Sequence, residues 1–302
     1  MHIKTPLYRS FKHSTAERKI YYKMEAHQPS GSFKLRGIGL LCSTLAADGI
    51  KRFVIASGGN AGLAVAYCGY KLGIETIVVV PESTRESMRK RIMELGAKLE
   101  VKGKVWNEAH EYACSLAEAD DTYYVHPFDN PLLWEGHSTI VQELSEEIEE
   151  PDAIVLSVGG GGLFCGVMQG LENLGWKNCK VICAETEGAA SMAKSIFAGH
   201  QITLDNITTI ATSLGAKRIA DRAWELAQNP AVIPYVCTDA EALQACHAFL
   251  NEYFVLTEPA CGTALAALKS PALKDAKSIV FIVCGGSGMS LEDMLDYEIG
   301  LK

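Results

Sequence analysis

The sequence contains no apolar run of roughly 18 residues, so it offers no segment of the length a membrane-spanning helix requires. Its first residues, Met1-His2-Ile3-Lys4-Thr5-Pro6, carry none of the apolar stretch that opens a secretory signal. Positive charge is not in excess. The chain has 28 Lys and Arg against 36 Asp and Glu, a net charge of −8, whereas a nucleic-acid backbone selects clustered cations. Neither nucleic acid nor membrane is therefore expected as a partner. Proline is sparse, at 10 of 302 residues, and blocks of like charge are missing, which argues against disorder. No CxxC pair occurs among the 10 cysteines, and the close pair Cys179 and Cys183 lacks the second pair that a zinc site needs. Thiols scattered through apolar stretches read as reduced and packed like small hydrophobes, which points to the cytoplasm.

What the chain does have is alternation. Short Val/Ile-rich runs at 53–56, 76–80, 154–158, 180–184 and 278–283 read as buried strands. Amphipathic stretches at 61–72, 83–95, 106–119, 132–149, 163–174 and 240–251 read as helices. This order predicts an α/β fold with mostly parallel sheets flanked by helices.

Ligands of such sheets sit beyond the carboxyl ends of strands. Three strand ends are rich in small residues: Ser57-Gly58-Gly59-Asn60-Ala61-Gly62, Gly159-Gly160-Gly161-Gly162, and Cys284-Gly285-Gly286-Ser287-Gly288. Four consecutive glycines leave backbone N–H groups unshielded for an anion at a helix start. A flexible turn is the plain alternative, although glycines there are entropically costly. No Gly-Lys-Ser/Thr follows, so the loop is not a Walker A loop. A dinucleotide fingerprint would need glycine at Phe164 or Cys165 and fails at both. Glu185, ending the next strand, is the one residue that still favours a dinucleotide.

The segment Ser30-Gly31-Ser32-Phe33-Lys34-Leu35-Arg36-Gly37 carries a lysine near the start of a helix predicted to run through Leu45. A cation there opposes the helix dipole. A lysine in a poorly hydrated site can form a Schiff base with an aldehyde, including phosphate-bearing ones. Alone it reads as a surface residue.

Together, Ser-Gly-Ser-Phe-Lys-x-Arg-Gly, Ser-Gly-Gly-Asn-Ala-Gly and Gly-Gly-Gly-Gly-Leu resemble the fold-type II pyridoxal-phosphate enzymes, within them the L-serine/L-threonine dehydratases of the animal serine dehydratase type. Other shared runs are 2–7, Pro127-Phe128-Asp129, Trp134-Glu135-Gly136-His137, Glu258-Pro259-Ala260-Cys261-Gly262 and 283–286. The likeness spans essentially the whole chain in order.

That resemblance implies a tryptophan synthase β-like architecture: a large discontinuous domain of residues 1–33 and 130–302, with a small domain of 34–129 inserted. It implies that Lys34 holds pyridoxal phosphate and acts as general base, with Phe33 against the ring. Gly159, Gly160, Gly161 and Gly162 would bind the phosphate. Asn60 would meet the 3′-oxygen, its plain alternative being a helix cap, and Cys284 would face the pyridine nitrogen. Ser57, Gly58, Gly59, Asn60 and Ala61 would receive the substrate carboxylate. A monovalent cation, K+ being the expected ion, would take Glu185, Ser191 and the carbonyls of Gly159, Ala189, Leu214 and Ala216; Glu185 could instead cap a helix. The implied activity is dehydration of serine and threonine, a small amino-acid substrate, in a homodimer. Gly58 stands where related racemases carry a serine base, so racemisation is expected to be minor. Ser213 stands where near relatives have alanine. β-Replacement, as in cysteine synthases, is the nearest rival, and a dinucleotide-binding oxidoreductase a more distant one.

Overall fold

The computed structural model describes residues 1–300. Ten strands form two sheets. They are β1 (Leu7–Arg9), β2 (Lys19–Lys23), β3 (Arg52–Ala56), β4 (Glu75–Val80), β5 (Lys98–Val101), β6 (Thr122–Tyr124), β7 (Ala153–Ser157), β8 (Lys180–Thr186), β9 (Val232–Cys237) and β10 (Ser278–Ile282). The helices are α1 (Lys34–Ala47), α2 (Asn60–Leu72), α3 (Glu86–Glu94), α4 (Trp106–Leu116), α5 (Pro131–Ser145), α6 (Gly162–Leu174), α7 (Ser191–Ala198), α8 (Asp221–Ala227), α9 (Asp239–Tyr253), α10 (Pro259–Ala266) and α11 (Leu291–Gly300).

One sheet has the order β1-β2-β10-β7-β8-β9, the other β5-β4-β3-β6. Every pairing is parallel except β1 with β2. Parallel strands covered on both faces need apolar side chains on both, and β7 and most of β3, β4 and β10 are accordingly buried without interruption. Pro234 sits in β9, an edge strand, where a missing ladder donor costs least. Two large apolar clusters form, one around β7, β8 and β10 and one around β3, β4, α1 and α2. The register Ile279↔Ala153 and Phe281↔Val155 puts the ends of β10 and β7 side by side, so Cys284 and Gly159 leave the same sheet edge together.

One part of the core is ionic. Arg36 is fully buried on the first turns of α1. Its Nε and Nη2 donate to Glu25 at 2.7 and 2.8 Å, and its Nη1 and Nη2 donate to Glu143 at 2.7 and 2.7 Å. Lys23 Nζ lies 2.6 Å from Glu143 and donates to the Thr5 carbonyl at 2.7 Å. Two cations face two carboxylates, so the cluster closes without net charge. Burial alone would lower the Arg36 pKa, but the two carboxylates hold it above its ordinary value. The cluster ties the N-terminal segment and β2 to α1 and α5.

Candidate active site

Lys34 opens α1, a helix with no side-chain N-cap. Its Nζ donates to the Pro127 carbonyl at 2.7 Å and lies 5.1 Å from the Phe33 ring centroid. Among the described residues no carboxylate pairs with it. Burial lowers the amine from 10.5 to about 8, against the opposing pull of Cys284 and Glu258. Phe33 meets His137 edge-on at 5.0 Å, and His137 is fully buried with both ring nitrogens unpartnered. An aliphatic amine brought this close to neutrality is nucleophilic and basic at ordinary pH.

The glycine loop joins β7 to α6. Gly161 adopts φ +93°, a backbone open to glycine. A side chain at Gly160 would overlap the Phe128 ring, and one at Gly162 would come 2.8 Å from the Phe128 carbonyl. Among the described residues, no protein group accepts from the N–H groups of Gly160, Gly161 and Gly162. Unshielded N–H groups at the start of a 13-residue helix form a cradle for a phosphate.

In the loop after β3, the Gly59 N–H donates to Ser57 Oγ at 3.3 Å, and space around the Gly59 Cα is open. Gly58 is crowded: a Cβ would come 2.5 Å from Thr84 Cγ2. Asn60 is buried, but it does not cap α2, whose cap is Gly59. Instead its Nδ2 donates to Glu258 Oε1 at 2.7 Å and its Oδ1 accepts from Ser287 at 2.5 Å. Glu258 sits at the start of α10. Burial raises its carboxyl, with Ser213 and Asn60 hydrogen bonds pulling the other way. Ser213 thus has a partner, which a methyl group at this position would lack.

Cys284 follows β10 and is buried. Its neighbour Cys261 and its burial push the thiol well above its ordinary range, against a hydrogen bond with Ser157, so it stays neutral. The Phe33 N–H donates to the Cys284 carbonyl at 3.0 Å, which anchors the Lys34 segment on this loop. Nine of the ten cysteines are buried and all are free thiols.

Glu185 is fully buried at the end of β8. Its two oxygens accept from the N–H groups of Met192 (2.9 Å) and Ala193 (2.7 Å), on the first turn of α7, and burial raises it to about 7. It caps the first turn of α7, and being fully buried it does not present itself to a ribose. Ser191 Oγ beside it is buried without a partner. Gly159 packs on Ser213 and Leu214, and Ala189 and Leu214 share one small apolar cluster; the Leu214 carbonyl accepts from the Ala216 N–H at 2.8 Å.

The three strand-end loops therefore meet, although β3 belongs to a different sheet from β7 and β10. Sequence reasoning did not single out Glu258, Ser287, His126 or the Pro127 carbonyl. Glu258, Ser287 and Pro127 fall in runs already marked by the glycine loops or the family resemblance, but no local pattern shows that Glu258 and Ser287 meet Asn60, and the Pro127 carbonyl is backbone.

A model of the family described as pyridoxal-phosphate dependent enzymes matches residues 1–285. The chain belongs to that family. It is 43% identical over 316 residues to the human protein named L-serine dehydratase/L-threonine deaminase, covering 100% of this chain and 96% of that one. Among solved structures it is similar to a fungal L-serine ammonia-lyase from Rhizomucor miehei, with a TM-score of 0.93, 37% identity and coverage of 99% and 98% of the two chains. It is also similar to maize serine racemase, with a TM-score of 0.89, 25% identity and coverage of 99% and 93%. The residues present fit the family's cofactor. A lysine lowered to about 8 and held, among the described residues, by a carbonyl suits an aldehyde, uncapped glycine N–H groups suit a phosphate, and a neutral buried thiol beside them suits an aromatic nitrogen. No helix among the described residues is long and apolar enough to cross a membrane.

Proposed function

We propose that this pyridoxal-phosphate enzyme converts L-serine to pyruvate and ammonia, and L-threonine to 2-oxobutyrate and ammonia, by α,β-elimination of water. The observation that carries this reading is Lys34, an amine lowered to about 8 by burial and, among the described residues, hydrogen-bonded to the Pro127 carbonyl alone. When bound, the cofactor supplies an electrophilic carbon for the substrate amine and a sink for the charge released at Cα. Lys34 Nζ takes the proton from Cα, which a base near neutrality does efficiently. Phe33, beside Lys34, would lie against the ring and shield that face from water. Gly159–Gly162 hold the phosphate by their N–H groups. The loop Ser57–Ala61 receives the substrate carboxylate at the open N-terminus of α2. Asn60, fixed between Glu258 and Ser287, orients a hydrogen bond to the ring oxygen. Cys284, a neutral thiol, would face the ring nitrogen, and a neutral partner there would leave the cofactor a weaker sink, suited to elimination.

We further infer a K+ ion on Glu185, Ser191 and the carbonyls of Gly159, Ala189, Leu214 and Ala216; the unpartnered Ser191 hydroxyl supports it, and oxygen donors suit a hard cation. A homodimer in the cytoplasm, and a division into 1–33 with 130–302 and an inserted 34–129, belong to the same reading. Two sheets and two cores support the division.

Racemisation is the reading that the likeness to maize serine racemase raises. Against it stands Gly58, where Thr84 leaves no room for a second base. The test is to incubate the holoenzyme with L-serine, and separately with O-acetylserine and sulfide. Pyruvate and ammonia in equal amounts from L-serine are expected. D-serine or cysteine as the main product, with little pyruvate, contradicts the proposal.

A further inference from the structure

We propose that His126 donates a hydrogen bond through Nε2–H to the β-hydroxyl of the substrate. This rests on the dehydratase reading above. His126 lies in the turn between β6 and α5, and its neighbours already belong to the site: the Pro127 carbonyl holds Lys34 Nζ at 2.7 Å, and Phe128 packs on Gly160 and Gly162.

The tautomer of His126 is fixed by backbone. Its Nδ1 accepts from the N–H groups of Asp129 at 2.9 Å and Phe128 at 3.4 Å. A nitrogen accepting from N–H donors holds no proton, so the proton is on Nε2. Among the described residues no protein group accepts from Nε2, and that atom is not among those sealed in the core. It is a donor without a protein acceptor among the described residues, in the turn whose Pro127 and Phe128 meet the lysine and the glycine loop.

The ring is held from behind. It meets Phe128 edge-on at 4.7 Å and Tyr124 at 6.3 Å. Tyr124 OH pairs with His110 Nδ1 at 2.7 Å, His110 stacks on Trp106 at 4.8 Å, and Trp106 Nε1 donates to the Ala56 carbonyl at 2.8 Å, at the end of β3. This aromatic ladder fastens His126 to the same strand that carries the Ser57–Ala61 loop.

The charge state chooses the substrate group. Burial, and then His110 and Lys34, lower His126 from 6.5 to about 4, so the ring stays neutral. The substrate carboxylate already has the α2 N-terminus. A neutral donor suits a neutral hydroxyl, whose oxygen gains charge as it departs.

The test uses two amino acids that lack a Cα proton and so cannot eliminate water: α-methyl-L-serine and α-aminoisobutyrate, which differ only by the hydroxyl. Calorimetry on the wild-type holoenzyme is expected to give about tenfold tighter binding of α-methyl-L-serine, the size of one hydrogen bond. His126→Phe removes that preference while α-aminoisobutyrate binds as before, and His126→Gln, which keeps a donor, retains part of it. An unchanged preference in His126→Phe, or equal loss for both ligands, overturns the assignment. Should His126→Phe fail to load cofactor, His126→Leu and His126→Gln carry the same comparison. Wild-type pyruvate release from L-serine separates the two readings. Its absence overturns the dehydratase reading and this assignment with it; its presence with unchanged discrimination overturns this assignment alone.

Discussion

Lys34 and Arg36 stand two residues apart on α1, and both are cations drawn away from water, yet their surroundings differ completely. Arg36 has two carboxylates at 2.7–2.8 Å, and these hold its charge firmly in place. Lys34 has a single carbonyl, and burial brings it to about 8. Arg36, fully buried, is thus fixed as structure by its carboxylates, while Lys34, half-buried and without one, is loosened into a base. Withholding a partner makes the site reactive, and supplying two keeps the neighbouring turn rigid enough to present it.

That contrast can be broken at either residue. The largest effect is expected from Lys34→Ala, which should lower kcat for ammonia release from serine by about 10³-fold or more, or about 4 kcal/mol of barrier, with thermal unfolding little changed. Residual turnover near wild type would mean that another group is the base. Arg36→Met should leave Glu25 and Glu143 buried and unpaired, and cost about 3–5 kcal/mol in urea unfolding. A cost as small as that of Lys34→Met would erase the distinction. The subtlest effect is on pH. In the folded, cofactor-free chain Lys34 titrates near 8, against 10.5 for the ordinary amine. Between those values the unfolded state holds more protons, so stability should rise with pH relative to Lys34→Met. Below pH 8 the two should run in parallel. A flat difference across the window would show that Lys34 is not desolvated.

Much of this was legible in the sequence. The central strands were predicted within one or two residues of their ends, because buried parallel strands are near-continuous apolar runs: 154–158 against Ala153–Ser157, and 278–283 against Ser278–Ile282. β2 was not, since Lys19 and Lys23 bracket it, and Lys23 is buried only because Glu143 lies across from it. β9 was hidden by Pro234. In the site, glycine loops and the lysine segment were readable from spacing, and the family model matching residues 1–285 agrees with the family they resemble. Asn60 was readable from its glycine loop, but its partners Glu258 and Ser287 lie 198 and 227 residues away. Such pairs are set by tertiary folding and leave no local pattern. The setting of His126 is likewise not legible in sequence: two backbone donors and an aromatic ladder surround it only once the fold is assembled.

The most direct test of the contrast between Lys34 and Arg36 is borohydride reduction of the holoenzyme followed by peptide mass mapping. A phosphopyridoxyl group on Lys34, and on no other lysine, is the result predicted. An unmodified Lys34, with the label on another lysine or with no label at all, would contradict the account.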